Sequence, residues 1–168
     1  AAGFALLMRF FYPALSQTGD AGTWQFVPGV EWPQLMLVVA MVTMTLGNLA
    51  ALNQDNVKRL LAYSSIAHAG YILMGFVVLS DEGLRAMLFY IVVYYLMNLG
   101  AFIVVMVVAN NTGRDDMASF RGLAWRGGAL PAIAMAIFLF SLTGLPPLAG
   151  FIGKFYLFAA VIKGQFYY

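Results

Sequence analysis

Two side chains in this sequence combine an ionisable group with an apolar setting, Lys154 and His68. Lys154 is the one full charge between Gly127 and Ile162, and it follows the Pro146-Pro147 pair by seven residues. A lysine inserted deep in lipid costs about 2.5–3.5 kcal/mol on insertion scales, which makes it by default a candidate for function. Lys163 stands nine residues further on. If Lys163 marks the water boundary, Lys154 lies about 13.5 Å inward, close to the middle of a roughly 30 Å hydrocarbon layer. A lysine out of water can take up and release a proton; the structural alternative is a side chain that snorkels to the interface along its stem.

His68 sits mid-way along an apolar run, with Ser64 and Tyr71 on the same helical face at i−4 and i+3 and Ser65 beside them. Imidazole accepts a proton on one nitrogen and gives one from the other, which suits a relay. A packing histidine bonded to a backbone carbonyl fits the spacing equally well. Tyr90, Tyr94 and Asn98 recur at i, i+4 and i+8, with Tyr95 beside them. Such a stripe points at protein or water rather than lipid, where Asn98 either holds a water chain or bonds a neighbouring helix. Asn48, with Gly47 and Ala51, reads as close packing. Lys58 and Arg59, in the short Asp55–Arg59 segment, read as setters of topology.

These residues need elements to place them. Of 168 residues, 62% are apolar and 10% charged, and mean hydropathy is +0.84, well above the roughly 45–50% apolar share of soluble domains. Uncharged runs at Trp32–Gln54, Leu60–Ser80, Ala86–Gly113 and Gly127–Gly153 each reach the roughly 20 residues that span a bilayer. Strand alternation is absent, so the expected class is all-α, a polytopic transmembrane helical bundle. The expected segments are a partial helix at 1–14, helices at 33–52, 60–79 and 84–109, and a helix at 130–162 broken at 144–147. Unbroken, the last would reach about 50 Å, too long for one straight crossing. Gly144, Pro146 and Pro147 break it, because each proline removes a backbone donor and clashes with the preceding turn. Irregular backbone at that depth is tolerated only when buried in protein or lining a cavity.

The chain has no initiator methionine, and Ala1–Ala14 is too short to cross alone, so it is expected to be an internal portion of a longer protein; no signal peptide is readable. Phe166-Tyr167-Tyr168 resembles the aromatic start of an interfacial segment. Loop charge sets orientation: Ser16–Glu31 carries no Lys or Arg and Ser80–Gly83 none, whereas Asn53–Arg59 and Asn110–Ala129 together carry Lys58, Arg59, Arg114, Arg121 and Arg126. Arg85 and Lys163 fall on the other face. The positive-inside rule puts the basic loops in the cytoplasm or its equivalent.

With no cysteine and one histidine, iron–sulfur, zinc and haem sites cannot be assembled from this chain's own ligands. A net charge of +2, held in loops, makes nucleic acid an unsuitable partner and the lipid bilayer the expected one.

Two long segments carry a resemblance. Gly47 to Tyr71, GNLAALNQDNVKRLLAYSSIAHAGY, resembles the signature of the antiporter-like membrane subunits of proton-pumping NADH-quinone oxidoreductase, respiratory complex I; Ser141 to Tyr156, SLTGLPPLAGFIGKFY, resembles their broken twelfth helix. Tyr95 to Phe102, YLMNLGAF, is similar to the subunit N branch, the counterpart of mitochondrial subunit 2, rather than to the L and M paralogues. The resemblance implies part of a fourteen-helix subunit, the end of its eighth helix and its ninth to twelfth. It implies that Lys154 is a proton carrier, His68 a relay, and Ser64, Tyr94 and Asn98 lining of a hydrophilic axis. The glutamate and lysine of the preceding half-channel would lie outside this chain. FMN, iron–sulfur clusters and quinone would belong to partner subunits, with none in this chain. Partners would be paralogous antiporter-like and small membrane subunits, with the hydrophilic arm contacted indirectly, in a bacterial inner (plasma) membrane or the mitochondrial inner membrane. A subunit of a multi-subunit cation/proton antiporter without redox activity is the nearest alternative, and a scaffold that transports nothing is a further one.

Overall fold

The computed structural model describes residues 2–18, 24–26, 32–78 and 80–164. Among them are six α-helices: α1 (Ala2–Leu15), α2 (Trp32–Leu52), α3 (Val57–Val77), α4 (Asp81–Thr112), α5 (Ala129–Thr143) and α6 (Ala149–Lys163). Three of these, α2, α3 and α4, are long and apolar enough to cross a membrane. Phe166–Tyr168 lies outside the described residues.

Helix ends follow local capping chemistry and differ from the apolar runs. α3 begins at Val57, three residues before the expected Leu60, because the Asn56 side chain accepts the Arg59 amide at 3.1 Å and caps the turn. α4 runs from Asp81 to Thr112 instead of 84–109. Ser80 accepts the Gly83 amide at its start, and Gly113, at φ 70°, closes its end by donating to the Ala109 carbonyl. Apolar patterning stops where lipid stops, whereas the helix continues to its caps. Ser16–Glu31, expected as a loop, contains a short antiparallel hairpin, β1 (Ser16–Thr18) with β2 (Trp24–Phe26), paired Ser16 with Phe26 and Thr18 with Trp24. The hairpin is too short to alter the all-α class.

α2 and α3 form a close antiparallel pair. A Cβ on Gly47 would stand 2.7 Å from the Ala67 amide nitrogen, and one on Gly70 would meet Met44 and Thr43, so the glycines let the backbones touch. Asn48, expected in that packing, is exposed; its neighbour Gly47 faces α3. α4, about 48 Å long, packs against α3, α5 and α6. Two apolar clusters fill the bundle. One gathers Trp32, Phe76, Met87 and Leu157, the other Leu61, Met97, Val105, Met135 and Leu142.

The two basic loops meet on one face. Lys58 Nζ lies 3.1 Å from Asp115, Asn56 Nδ2 donates to the same carboxylate at 2.7 Å, and the backbone pairs Val57 N–H to Asp115 O and Met117 N–H to Asp55 O. Lys58 first, and Asn56 after it, hold the Asp115 carboxyl below the usual carboxylate range against a smaller opposing desolvation. Arg85 and Lys163 lie at the opposite end, where Lys163 pairs with Glu82 at 3.2 Å. Arg9, outside both groups, is exposed on α1.

Candidate functional site

The site lies where the two apolar clusters meet, at the interruption between α5 and α6. A helix ends with four carbonyls that lack intrahelical partners, and α5 ends at Thr143. Gly144, at φ 90°, turns the chain into the left-handed region and donates to the Phe140 and Ser141 carbonyls, and Leu145 N–H also reaches Phe140. The other two carbonyls are taken by a side chain. Lys154 Nζ donates to Leu142 O at 2.9 Å and Thr143 O at 3.1 Å. It can do so because side chains lean toward their helix N-terminus, so a residue in the second turn of α6 reaches back over the break. A cation there also faces the negative end of the α5 dipole.

The start of α6 is closed from the other side. Its N-cap residue, Leu148, has no oxygen to offer. Ser141, buried on α5, supplies one: its Oγ accepts the Gly150 N–H at 3.2 Å and approaches Met97 Sδ of α4 at 2.6 Å. A Cβ on Gly150 would run into the Ser141 carbonyl, so only glycine permits this approach. Each half-helix therefore caps the other, Lys154 for α5 and Ser141 for α6.

Tyr71 of α3 lies under the ammonium, with Lys154 Nζ 5.0 Å from its ring centroid, a cation–π distance. His68 meets the edge of the same ring, centroids 5.7 Å apart. Tyr71 thus stands between the two ionisable groups named from sequence. His68 is buried; its Nδ1 lies 2.6 Å from the Tyr90 hydroxyl and its ring stacks on Tyr94 at 5.0 Å. Tyr90 is fully buried, and Gly153, the neighbour of Lys154, leaves room for its ring. Ser65 stands beside the Tyr94 hydroxyl; Ser64 is partly buried one turn before His68.

Asn98 faces elsewhere. With Tyr94, Tyr95, Ile72, Ile91 and Phe4 it lines a separate cavity of about 160 Å³ toward α1. Tyr94 therefore belongs to both places, stacking on His68 and walling the Asn98 cavity. Gly144, Pro146 and Pro147 sit at the interruption, and the Pro146–Pro147 peptide is cis. Sequence reasoning did not single out Ser141, nor the link that Tyr71 makes. A serine three residues before a glycine C-cap carries no signal until the second half-helix is folded against it.

This is a polytopic helical membrane protein with a discontinuous helix whose freed carbonyls are met by a lysine. The chain belongs to the family described as NADH:quinone oxidoreductase/Mrp antiporter, TM, which matches residues 13–168. It is 61% identical over 165 residues to NADH-quinone oxidoreductase subunit N 2 of Sorangium cellulosum, covering 96% of this chain and 31% of that protein. It is 54% identical to subunit N of Anaeromyxobacter sp., covering 97% of this chain and 32% of that protein. It is 50% identical to subunit N of Chlorobium chlorochromatii, covering 99% and 32%. The chain thus spans about a third of the length of these curated relatives.

Proposed function

We propose that this chain is part of a subunit N-type membrane protein of NADH-quinone oxidoreductase, and that it moves protons through Lys154. The observation that carries the reading is the lysine held on the two freed carbonyls of a broken helix. An ammonium has three N–H groups and a neutral amine two. The Leu142 and Thr143 carbonyls can therefore keep their donors in both protonation states, so Lys154 can gain or lose a proton without leaving α5 uncapped. What changes is its attraction to the Tyr71 ring and to the negative end of α5.

In this reading His68 passes protons toward the lysine from the preceding part of the longer protein, with the Tyr90 hydroxyl, which can donate or accept, holding Nδ1 in either tautomer. Tyr94 joins that cluster to the Asn98 cavity, and Ser64 lies on the approach. The flavin, iron–sulfur clusters and quinone belong to partner subunits, a division that fits a chain with no cysteine and one histidine. The basic face formed by Lys58, Arg59, Arg114, Arg121 and Arg126 is the cytoplasmic one in a bacterial inner membrane.

The family name also covers cation/proton antiporters without redox partners; the names of the similar proteins favour the oxidoreductase. Isolating the full-length protein from its native membrane under mild detergent decides between them. Co-isolation with flavin- and iron–sulfur-bearing subunits and NADH oxidation is the expected result. An assembly of membrane subunits alone would overturn the assignment to the oxidoreductase.

A further inference from the structure

Arg85 and Lys163 are the two basic residues that the loop asymmetry assigns to the sparsely charged face, 78 positions apart, and the fold brings both to one groove. The groove lies between the first two turns of α4 and the last two of α6, has a volume of about 370 Å³, and is lined by Glu82, Arg85, Phe89, Tyr156, Ala159 and Lys163 among others. On each helix the lining recurs at helical spacing, Glu82, Arg85 and Phe89 facing Tyr156, Ala159 and Lys163. The charged residues stand at the water end. Phe89 and Tyr156 meet edge to face at 5.8 Å about one to two turns deeper.

We propose that this groove is a binding site for an anionic phospholipid, with the headgroup phosphate at Arg85 and Lys163 and an acyl chain along the apolar wall. Three observations point to this occupant. The mouth carries two cations against one carboxylate, so it is complementary to one negative charge. Arg85, exposed near the start of α4, has no ion-pair partner among the described residues, so its guanidinium is available to a ligand. Its planar fork suits two phosphate oxygens. Finally, Lys163 and Glu82 are 69% and 62% exposed, so their bridge is weak and can open to share the ammonium with a phosphate. Below the charges the wall is Ala86, Phe89, Tyr156, Ala159 and Ala160, apolar throughout apart from the tyrosine hydroxyl, and its three alanines keep it low. The inference depends on the membrane-spanning fold and on no transport role.

The test uses the intact complex in bilayers containing phosphatidylglycerol or phosphatidylcholine, each with a photoactivatable acyl chain, and maps adducts by peptide mass spectrometry. Adducts are expected on the Ala86–Phe89 and Tyr156–Ala160 stretches, with phosphatidylglycerol favoured by about five-fold for each basic residue. Arg85→Gln and, separately, Lys163→Gln should each remove about one such factor. Ala159→Phe, which fills the groove, should remove labelling by both lipids. Equal labelling by the two lipids would overturn the charge-selective site. Carbodiimide cross-linking of Lys163 to a carboxylate other than Glu82, with no lipid adduct, would show that another protein segment covers the groove, and would overturn it too.

Discussion

α4 and the α5–α6 pair lie side by side, and they solve the same crossing in opposite ways. α4 is continuous over 32 residues, capped by Ser80 and Gly113, and satisfies its backbone internally. The α5–α6 pair is interrupted after 15 residues, and its loose carbonyls and amides must be met by side chains from across the gap. The continuous helix contributes rings, Tyr90 and Tyr94, that fix His68; the broken one contributes a cation whose partners are backbone. A break thus converts backbone groups, silent in α4, into ligands for Lys154.

The comparison can be broken first at glycine. Gly150→Ala on the broken helix pushes a methyl into the Ser141 backbone, which cannot move without parting the two halves, whereas Gly100→Ala on α4 meets only the Phe138 ring. Gly150→Ala should cost about 3 kcal/mol, at the upper end of overpacking, and Gly100→Ala clearly less. Thermal unfolding of the detergent-solubilised full-length protein measures both. Gly144→Ala comes next. At φ 90° an L-residue should cost about 1–2 kcal/mol, read in the same assay.

Ser141→Ala removes the hydroxyl that accepts the Gly150 amide and should cost about 1 kcal/mol; Ser141→Thr should recover most of it. The smallest effect concerns the basic face. The folded Asp115 carboxyl titrates below its unfolded value, so the Lys58–Asp115 clamp contributes its stability above the unfolded pKa of about 4 and loses it as pH falls through the lower folded value. Proteolysis of the Asn110–Ala129 loop should rise on acidification below about pH 4, and Asp115→Asn should abolish that dependence.

The broken helix, its lysine and the membrane-spanning runs were legible because composition and proline chemistry act locally. The caps were half legible: Ser80 and Gly113 are familiar end signals, yet apolar patterning placed the α4 boundaries four residues inside them. The hairpin at Ser16–Thr18 was not visible, since each strand is three residues long and Ser16-Gln17-Thr18 is polar throughout. Asp115 could not be assigned to Lys58 from sequence, because nothing in a linear string ties a carboxylate to a loop 57 positions earlier. The partners of Lys154 were hidden for a different reason: they are carbonyls, which every residue has. Asn98 shares a helical stripe with Tyr90 and Tyr94, but those two rings meet His68 of α3 whereas Asn98 lines a cavity walled by Ile72 of α3 and Phe4 of α1. Regular spacing does not tell which neighbour each member meets.

The central claim is that the lysine on the broken helix carries protons, and it is tested most directly by NADH-driven proton pumping in vesicles containing the assembled complex with Lys154→Met. The substitution keeps the length and apolar stem of the side chain while removing its proton site. The account predicts normal assembly with quinone reduction and pumping both reduced to a small fraction of the unmodified enzyme. Full pumping in the correctly assembled variant would contradict it.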